Sequence, residues 1–279
     1  MVVLLALGSA VAYGLSDFVG GILARRARVF AVAVVGQSVS TAGTSIAALL
    51  FPGAPTTPDW VWGAVAGVGS GLGAVFLYRG LASGRMSVVA PLSAVAAALL
   101  PVGVGIISGE RPTLVTWLGV VCAFPAIWLV SRAAEGAPDD DRAHRAGVAD
   151  GLLAGLGFGS LFAALGQVDD GSGLGPLALA QATSVVAIIA LATGLRQPWF
   201  PRYRGEAAAS IAGLLGALAT SLFLLSTQSG LLTVAAVLSS LYPASTVLLA
   251  ALLLHERIRR SQGLGLLLAG AAVALVAAG

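Results

Sequence analysis

The sequence predicts an all-α polytopic membrane protein, with ten transmembrane helices arranged as two inverted five-helix repeats. Three features carry that expectation: too few charges for a soluble surface, ten apolar runs separated by helix breakers, and an internal repeat whose equivalent loops exchange their arginines.

Of 279 residues, 58% are hydrophobic and 10% charged, whereas a soluble domain carries about 25% charged residues. So few charges cannot solvate a globular surface, but in a lipid surround an apolar exterior costs nothing. The basic residues are all arginine, fifteen against twelve acids, and they are scattered through the loops. That mild excess requires no nucleic-acid partner. Cys122 is the single cysteine, which excludes an intrachain disulfide; it sits in an apolar run as a packing residue. The chain has no lysine, so it holds no Gly-x-x-x-x-Gly-Lys-[Ser/Thr] phosphate loop and no ATPase of that type.

A span needs about 20 mostly apolar residues. Runs of that kind fall at 2–23, 29–50, 60–78, 86–108, 114–131, 147–166, 174–195, 207–228, 231–254 and 261–278. The first lacks a basic leading segment and a small-x-small cleavage site, so it is expected to be a span rather than a signal peptide. Breakers separate the runs: Phe51-Pro52-Gly53-Ala54-Pro55, Gly109-Glu110-Arg111-Pro112, Asp169-Asp170-Gly171-Ser172-Gly173, and Gln197-Pro198-Trp199 with Pro201. The most hydrophilic stretch, Ala133 to Arg145, contains Asp139, Asp140 and Asp141. Adjacent aspartates at that spacing offer no arranged metal cage, and the stretch is expected to be a solvated linker. The organisation predicted is a first five-helix repeat at 1–131, a hydrophilic linker at 132–146 and a second repeat at 147–279.

The two halves can be laid over each other. At an offset of 146, Ser83-Gly84 falls on Ser229-Gly230, Val88 on Val234, Leu92-Ser93 on Leu238-Ser239, Glu110-Arg111 on Glu256-Arg257 and Leu118-Gly119 on Leu264-Gly265. Upstream, Gln37 falls on Gln181 at an offset of 144, and Tyr13-Gly14 on Phe158-Gly159 at 145. A repeat of five spans is odd-numbered, so its second copy must enter the membrane from the other side. The arginines agree. The first loop of the first half holds Arg25, Arg26 and Arg28, and its counterpart in the second half holds none; the second loop reverses this, with Arg196, Arg202 and Arg204 only in the second half. Fourteen of the fifteen arginines lie on one side of the predicted membrane, and Arg111 lies on the other. The positive-inside rule places the arginine-rich side in the cytoplasm and both termini outside.

Several polar residues fall inside the spans. In the second, Gln37, Ser40, Thr41, Thr44 and Ser45 share one helical face, which either packs against protein or lines a cavity. In the ninth, Ser239, Tyr242 and Thr246 share a face beside Pro243, which removes a backbone donor and kinks a helix. Interrupted spans often mark transporter sites. Gly67, Gly69, Gly71 and Gly73 in the third span, with Gly151, Gly155 and Gly159 in the sixth, have the small-residue spacing of close helix contacts. Glu110 and Glu256 stand at span junctions, where a helix cap or an ion pair at the interface is expected. His144 and His255 are the two histidines and make no metal-ligand cluster. Asp17 is the acid placed deepest in any span, eight residues before Arg25, or about 12 Å inside that helix end. An ionised Asp at that depth costs roughly 2.5–3.5 kcal/mol on insertion scales, so it faces the bundle interior with a partner. Arg79, on the same side of the membrane, is the expected ion-pair candidate. The alternative role for Asp17 is to bind a substrate ammonium or a coupling proton.

The aromatic-Gly pairs Tyr13-Gly14 and Phe158-Gly159, the segment Tyr78-Arg79-Gly80-Leu81-Ala82-Ser83-Gly84, and the Glu-ended spans Gly109-Glu110-Arg111 and His255-Glu256-Arg257, each followed by a Gly-containing span at Gly119 and Gly265, carry a resemblance. On these the full chain resembles the EamA family of the drug/metabolite transporter superfamily. Leu224 departs from the pattern where Tyr78 would be matched. The charge bias departs as well, since the family usually keeps both termini inside. The resemblance implies an exporter or exchanger of small metabolites such as amino acids, with a central cavity between the halves.

The function expected is therefore secondary transport across the cell inner (plasma) membrane. The alternatives are an intramembrane enzyme, for which the spans show no His-Glu-x-x-His, Gly-x-Ser-x-Gly or paired-Asp motif, and a membrane scaffold or assembly subunit. Candidate substrate-path residues are Tyr13, Asp17, Gln37, Ser40, Tyr78, Ser93, Gln181, Ser239 and Tyr242. No catalytic residue, metal or cofactor is expected. The partners expected are a small-molecule substrate and the lipid bilayer, with a homodimer left open.

Overall fold

A computed structural model describes residues 1–82, 86–131, 141–253 and 260–279. Among the described residues the regular structure is all helix: α1 (Val2–Ala24), α2 (Val29–Leu50), α3 (Thr57–Ala82), α4 (Met86–Ile107), α5 (Leu114–Ser131), α6 (Asp141–Leu165), α7 (Gly175–Gly194), α8 (Arg204–Ala207), α9 (Ala209–Thr227), α10 (Leu232–Ser239), α11 (Tyr242–Leu253) and α12 (Arg260–Ala278). Among the described residues seven segments are long and apolar enough to cross a membrane, and Leu92–Ile107, Leu114–Val130 and Leu232–Thr246 are shorter apolar segments. Large apolar side chains such as Leu49, Ile107, Leu114, Leu252 and Leu267 stand exposed on the outside. A surface of that kind fits hydrocarbon and not water, and the chain is a multi-pass membrane protein.

Most helices start and stop within a few residues of the apolar runs. α6 differs: it begins at Asp141, so the tail of the expected 132–146 linker is helical. The rest of that linker lies outside the described residues, as do Ser83, Gly84, His255, Glu256 and Arg257. The ninth run is broken into α10 and α11 at Ser240–Leu241. Pro243 stands in the first turn of α11, where its missing N–H cannot bond back to the preceding turn.

Small residues set the packing. Glycines of α3 face two neighbours. A Cβ on Gly71 would lie 2.6 Å from the Ser184 carbonyl of α7, and one on Gly69 would lie 2.6 Å from the Gly157 carbonyl of α6. On its other face α6 meets α4, where Gly155 approaches the Ser93 carbonyl. The glycines thus let backbones touch, as their spacing predicts. α1 lies against α9 through two hydroxyls, Ser9 Oγ donating to Ala219 O and Ser16 Oγ to Ala212 O, each at 2.9 Å.

Polar groups tie the helix ends together. At the terminus side, Asp59 accepts from Thr56 N at 2.7 Å and Asp169 N at 2.9 Å. Glu110 accepts from the backbone N–H groups of Leu232 and Thr233, the latter at 3.0 Å. The expected capping role of Glu110 is therefore exercised on α10, in the other half of the chain. At the arginine-rich side, Arg28 makes a bidentate pair with Glu206 at 2.9 and 3.1 Å, and Arg79 Nε donates to Asp150 Oδ1 at 2.8 Å. Both pairs join the first half to the second.

Candidate functional site: a polar cleft between the halves

A cleft with about 680 Å³ of free space, its open mouth included, lies between α1, α2, α3, α6, α7, α9 and α11. Its wall combines hydroxyls and amides (Ser16, Gln37, Ser40, Ser70, Gln181, Thr220), aromatics (Tyr13, Tyr78, Phe158, Phe162, Tyr242) and small residues (Ala33, Gly36, Ala74, Gly213, Gly216). Asp17 is the one ionisable carboxylate among them. The lining reaches Ala33 near the start of α2 and Tyr78 near the end of α3, both at the arginine-rich side. Toward the terminus side Phe162, Phe223, Leu165, Leu177, Leu224 and Leu232 pack into one buried cluster.

The two glutamines are held alike. Gln37 Nε2 donates to Ser70 Oγ, and Gln181 Nε2 donates to Thr220 Oγ1, both at 3.0 Å. Three buried cleft-wall atoms lack a hydrogen-bond partner among the described residues: Tyr13 OH, Ser40 Oγ and Gln181 Oε1. Buried polar atoms are nearly always paired, so three orphans on one wall mark a place for a polar ligand. The aromatics adjoin them, with Tyr13 against Phe162 (centroids 5.7 Å apart) and Tyr242 (6.3 Å).

Seven expected path residues line the cleft: Tyr13, Asp17, Gln37, Ser40, Tyr78, Gln181 and Tyr242. Ser93 and Ser239 do not. Ser93 Oγ is buried 3.3 Å from the Tyr242 hydroxyl, behind the wall, and Ser239 Oγ turns toward Ala6 O on α1 at 3.4 Å. The expected Asp17–Arg79 pair is corrected: Arg79 is committed to Asp150 and stacks over Phe76 at 4.7 Å. Asp17 has no ion-pair partner among the described residues. Of the polar stripe on α2, Gln37 and Ser40 face the cleft, while the Thr41 and Thr44 hydroxyls bond back to Gln37 O and Ser40 O of their own helix. No group of three His, Cys, Asp or Glu able to hold a metal occurs among the described residues.

The wall repeats itself. Tyr13 and Phe158, Ser16 and Leu161, and Asp17 and Phe162 each differ by 145 in number; Gln37 and Gln181 differ by 144; Ser70 and Gly216, and Ala74 and Thr220, by 146. The EamA-like transporter family matches the chain twice, over residues 1–132 and again over 145–278. The chain belongs to the EamA-like transporter family. It is therefore a membrane transporter of the drug/metabolite type. A solved crystal structure matches the fold with a TM-score of 0.72 and 17% sequence identity, covering 98% of this chain and 95% of that one. No curated protein matches the chain.

Sequence reasoning passed over Ser16, Ser70, Thr220, Phe158 and Phe162 as wall residues of this EamA-like cleft. Ser70 lies among the α3 glycines and reads as one more small packing residue. Phe158 and Phe162 could have been found by carrying Tyr13 and Asp17 across the repeat.

Proposed function

We propose that the protein is a secondary transporter with ten spans in two inverted five-helix repeats, moving a small metabolite through the cleft between the halves as an exporter or exchanger in the cell inner membrane. The observation that carries this reading is the doubled wall: six pairs of equivalent positions, one from each half, meet around one polar cleft. Sites between repeats near mid-membrane are where transporters of this construction hold their cargo. The break between α10 and α11, beside Tyr242 on the wall, supports the same reading. An apolar cluster lies toward the terminus side of the cleft and cross-half ion pairs sit at the arginine-rich side, and opening either end would have one half rock against the other.

The test is counterflow. Purified protein in liposomes preloaded with unlabelled metabolite should accumulate the labelled solute transiently above equilibrium. An intramembrane enzyme would instead convert the solute, and a scaffold subunit would leave it at the rate of protein-free vesicles.

A further inference from the structure

We infer that the cleft selects a small organic cation whose nitrogen carries N–H donors and which bears no carboxylate: a primary amine rather than an amino acid. The transport of that cation rests on the function proposed above; its binding does not.

Charge is the first ground. Among the described residues, Asp17 is the one ionisable carboxylate on the wall and no arginine lines it. Arg79 is engaged with Asp150 and Arg28 with Glu206. A cation brought into the cleft meets an unpaired carboxylate, whereas a ligand carboxylate meets that same negative charge with no cation to offset its lost hydration.

Hydrogen-bond polarity is the second ground. Thr220 Oγ1 spends its proton on Gly216 O at 2.9 Å or Ala217 O at 3.1 Å, so its oxygen must accept from Gln181. The Gln181 amide is thereby fixed with Nε2 on Thr220 and the unpartnered Oε1 left over. Gln181 is 2% exposed, and its orphan atom is a pure acceptor. Beside the Tyr13 and Ser40 hydroxyls, which can donate or accept, the wall thus offers a carboxylate and an amide oxygen that only accept. An ammonium with N–H groups can donate to either of them, and a fully methylated nitrogen to neither.

Aromatic faces are the third ground. Tyr13, Phe162 and Tyr242 form one cluster on the wall, and aromatic faces attract a desolvated cation.

The test uses four probes with one ring: phenethylamine, its N,N,N-trimethyl analogue, phenylalanine and 3-phenylpropionate. Binding to the purified protein is followed by calorimetry. Phenethylamine should bind at least about tenfold more tightly than each of the others, and Asp17→Asn should weaken it by about tenfold or more. The inference is overturned if phenylalanine, phenylpropionate or the trimethyl analogue binds as well as the amine. It is equally overturned if Asp17→Asn leaves the affinity unchanged, or if phenethylamine does not bind up to about 10 mM. Counterflow with labelled phenethylamine separates the two readings. An amine that binds but is not exchanged supports the ligand class and defeats transport; exchange of phenylalanine without phenethylamine supports transport and defeats the ligand class.

Discussion

Gln181 Nε2 donates to Thr220 Oγ1 at 3.0 Å across the α7–α9 contact. That one bond sets which end of the amide the cleft presents. Thr220→Val keeps the shape of the side chain and removes the acceptor. The amide is then free to turn, and phenethylamine binding should weaken by about 1 kcal/mol, roughly fivefold, with folded yield unchanged. Calorimetric titration of the variant checks this, and an unchanged affinity would mean that the amide orientation does not matter to the ligand.

Arg28 and Glu206 form a bidentate tie between the halves at the arginine-rich end. Glu206 is fully buried, while Arg28 keeps a quarter of its side chain exposed. Glu206 also accepts from Arg202 N at 2.7 Å and Tyr203 N at 3.1 Å. Arg28→Ala leaves a buried carboxylate with backbone donors alone, and should cost roughly 3 kcal/mol, the low end for breaking a buried pair. Replacing Glu206 by Gln in the same chain should recover part of that loss, because the charge left unpaired is then gone. Thermal unfolding in detergent of the single and double variants reads both effects.

Glu110 caps α10 from the far half of the chain. Glu110→Ala should cost about 1 kcal/mol, the ordinary value of a lost N-cap. Hydrogen exchange should rise at the Leu232 and Thr233 amides rather than in α5, which follows Glu110 in sequence. Faster exchange confined to α5 would place the cap on the wrong helix.

Most spans were legible to within a few residues because length and hydropathy are local properties: an apolar run must be helical when no water is present to satisfy the backbone. The break in the ninth was legible for the same reason, since Pro243 acts on its own helix. Pairing was less legible. Asp17 and Arg79 share a membrane side, but depth along a helix says nothing of the direction a side chain takes around it. α3 turns Gly69 and Gly73 toward α6, and Arg79 continues on to Asp150 of that helix. Ser239 was misplaced likewise: it shares a helical face with Tyr242 in an unbroken helix, and the break rotates it toward α1. The site was legible where a residue was costly to leave in lipid, as with Asp17, Gln37 and Gln181. It was hidden where serine could equally be packing, as at Ser16 and Ser70.

Orientation follows from the arginines. In a Cys122→Ala background, Asp170→Cys in the α6–α7 loop should react with an impermeant thiol reagent in intact cells. Gln197→Cys, in the loop after α7, should react only after lysis. Both positions are exposed. The reverse pattern would place both termini in the cytoplasm.

The central claim is that solute passes through the cleft between the two halves, and counterflow across wall variants tests it most directly. Proteoliposomes holding the wild-type protein should exchange labelled phenethylamine well above protein-free vesicles. Gln37→Leu, which removes the amide bonded to Ser70, should insert normally and exchange at least about tenfold more slowly, as expected when a polar ligand loses a buried partner. Tyr242→Phe should slow exchange as well. Exchange at the wild-type rate in both variants would contradict the account, because the solute would then be moving by a path that does not touch this wall.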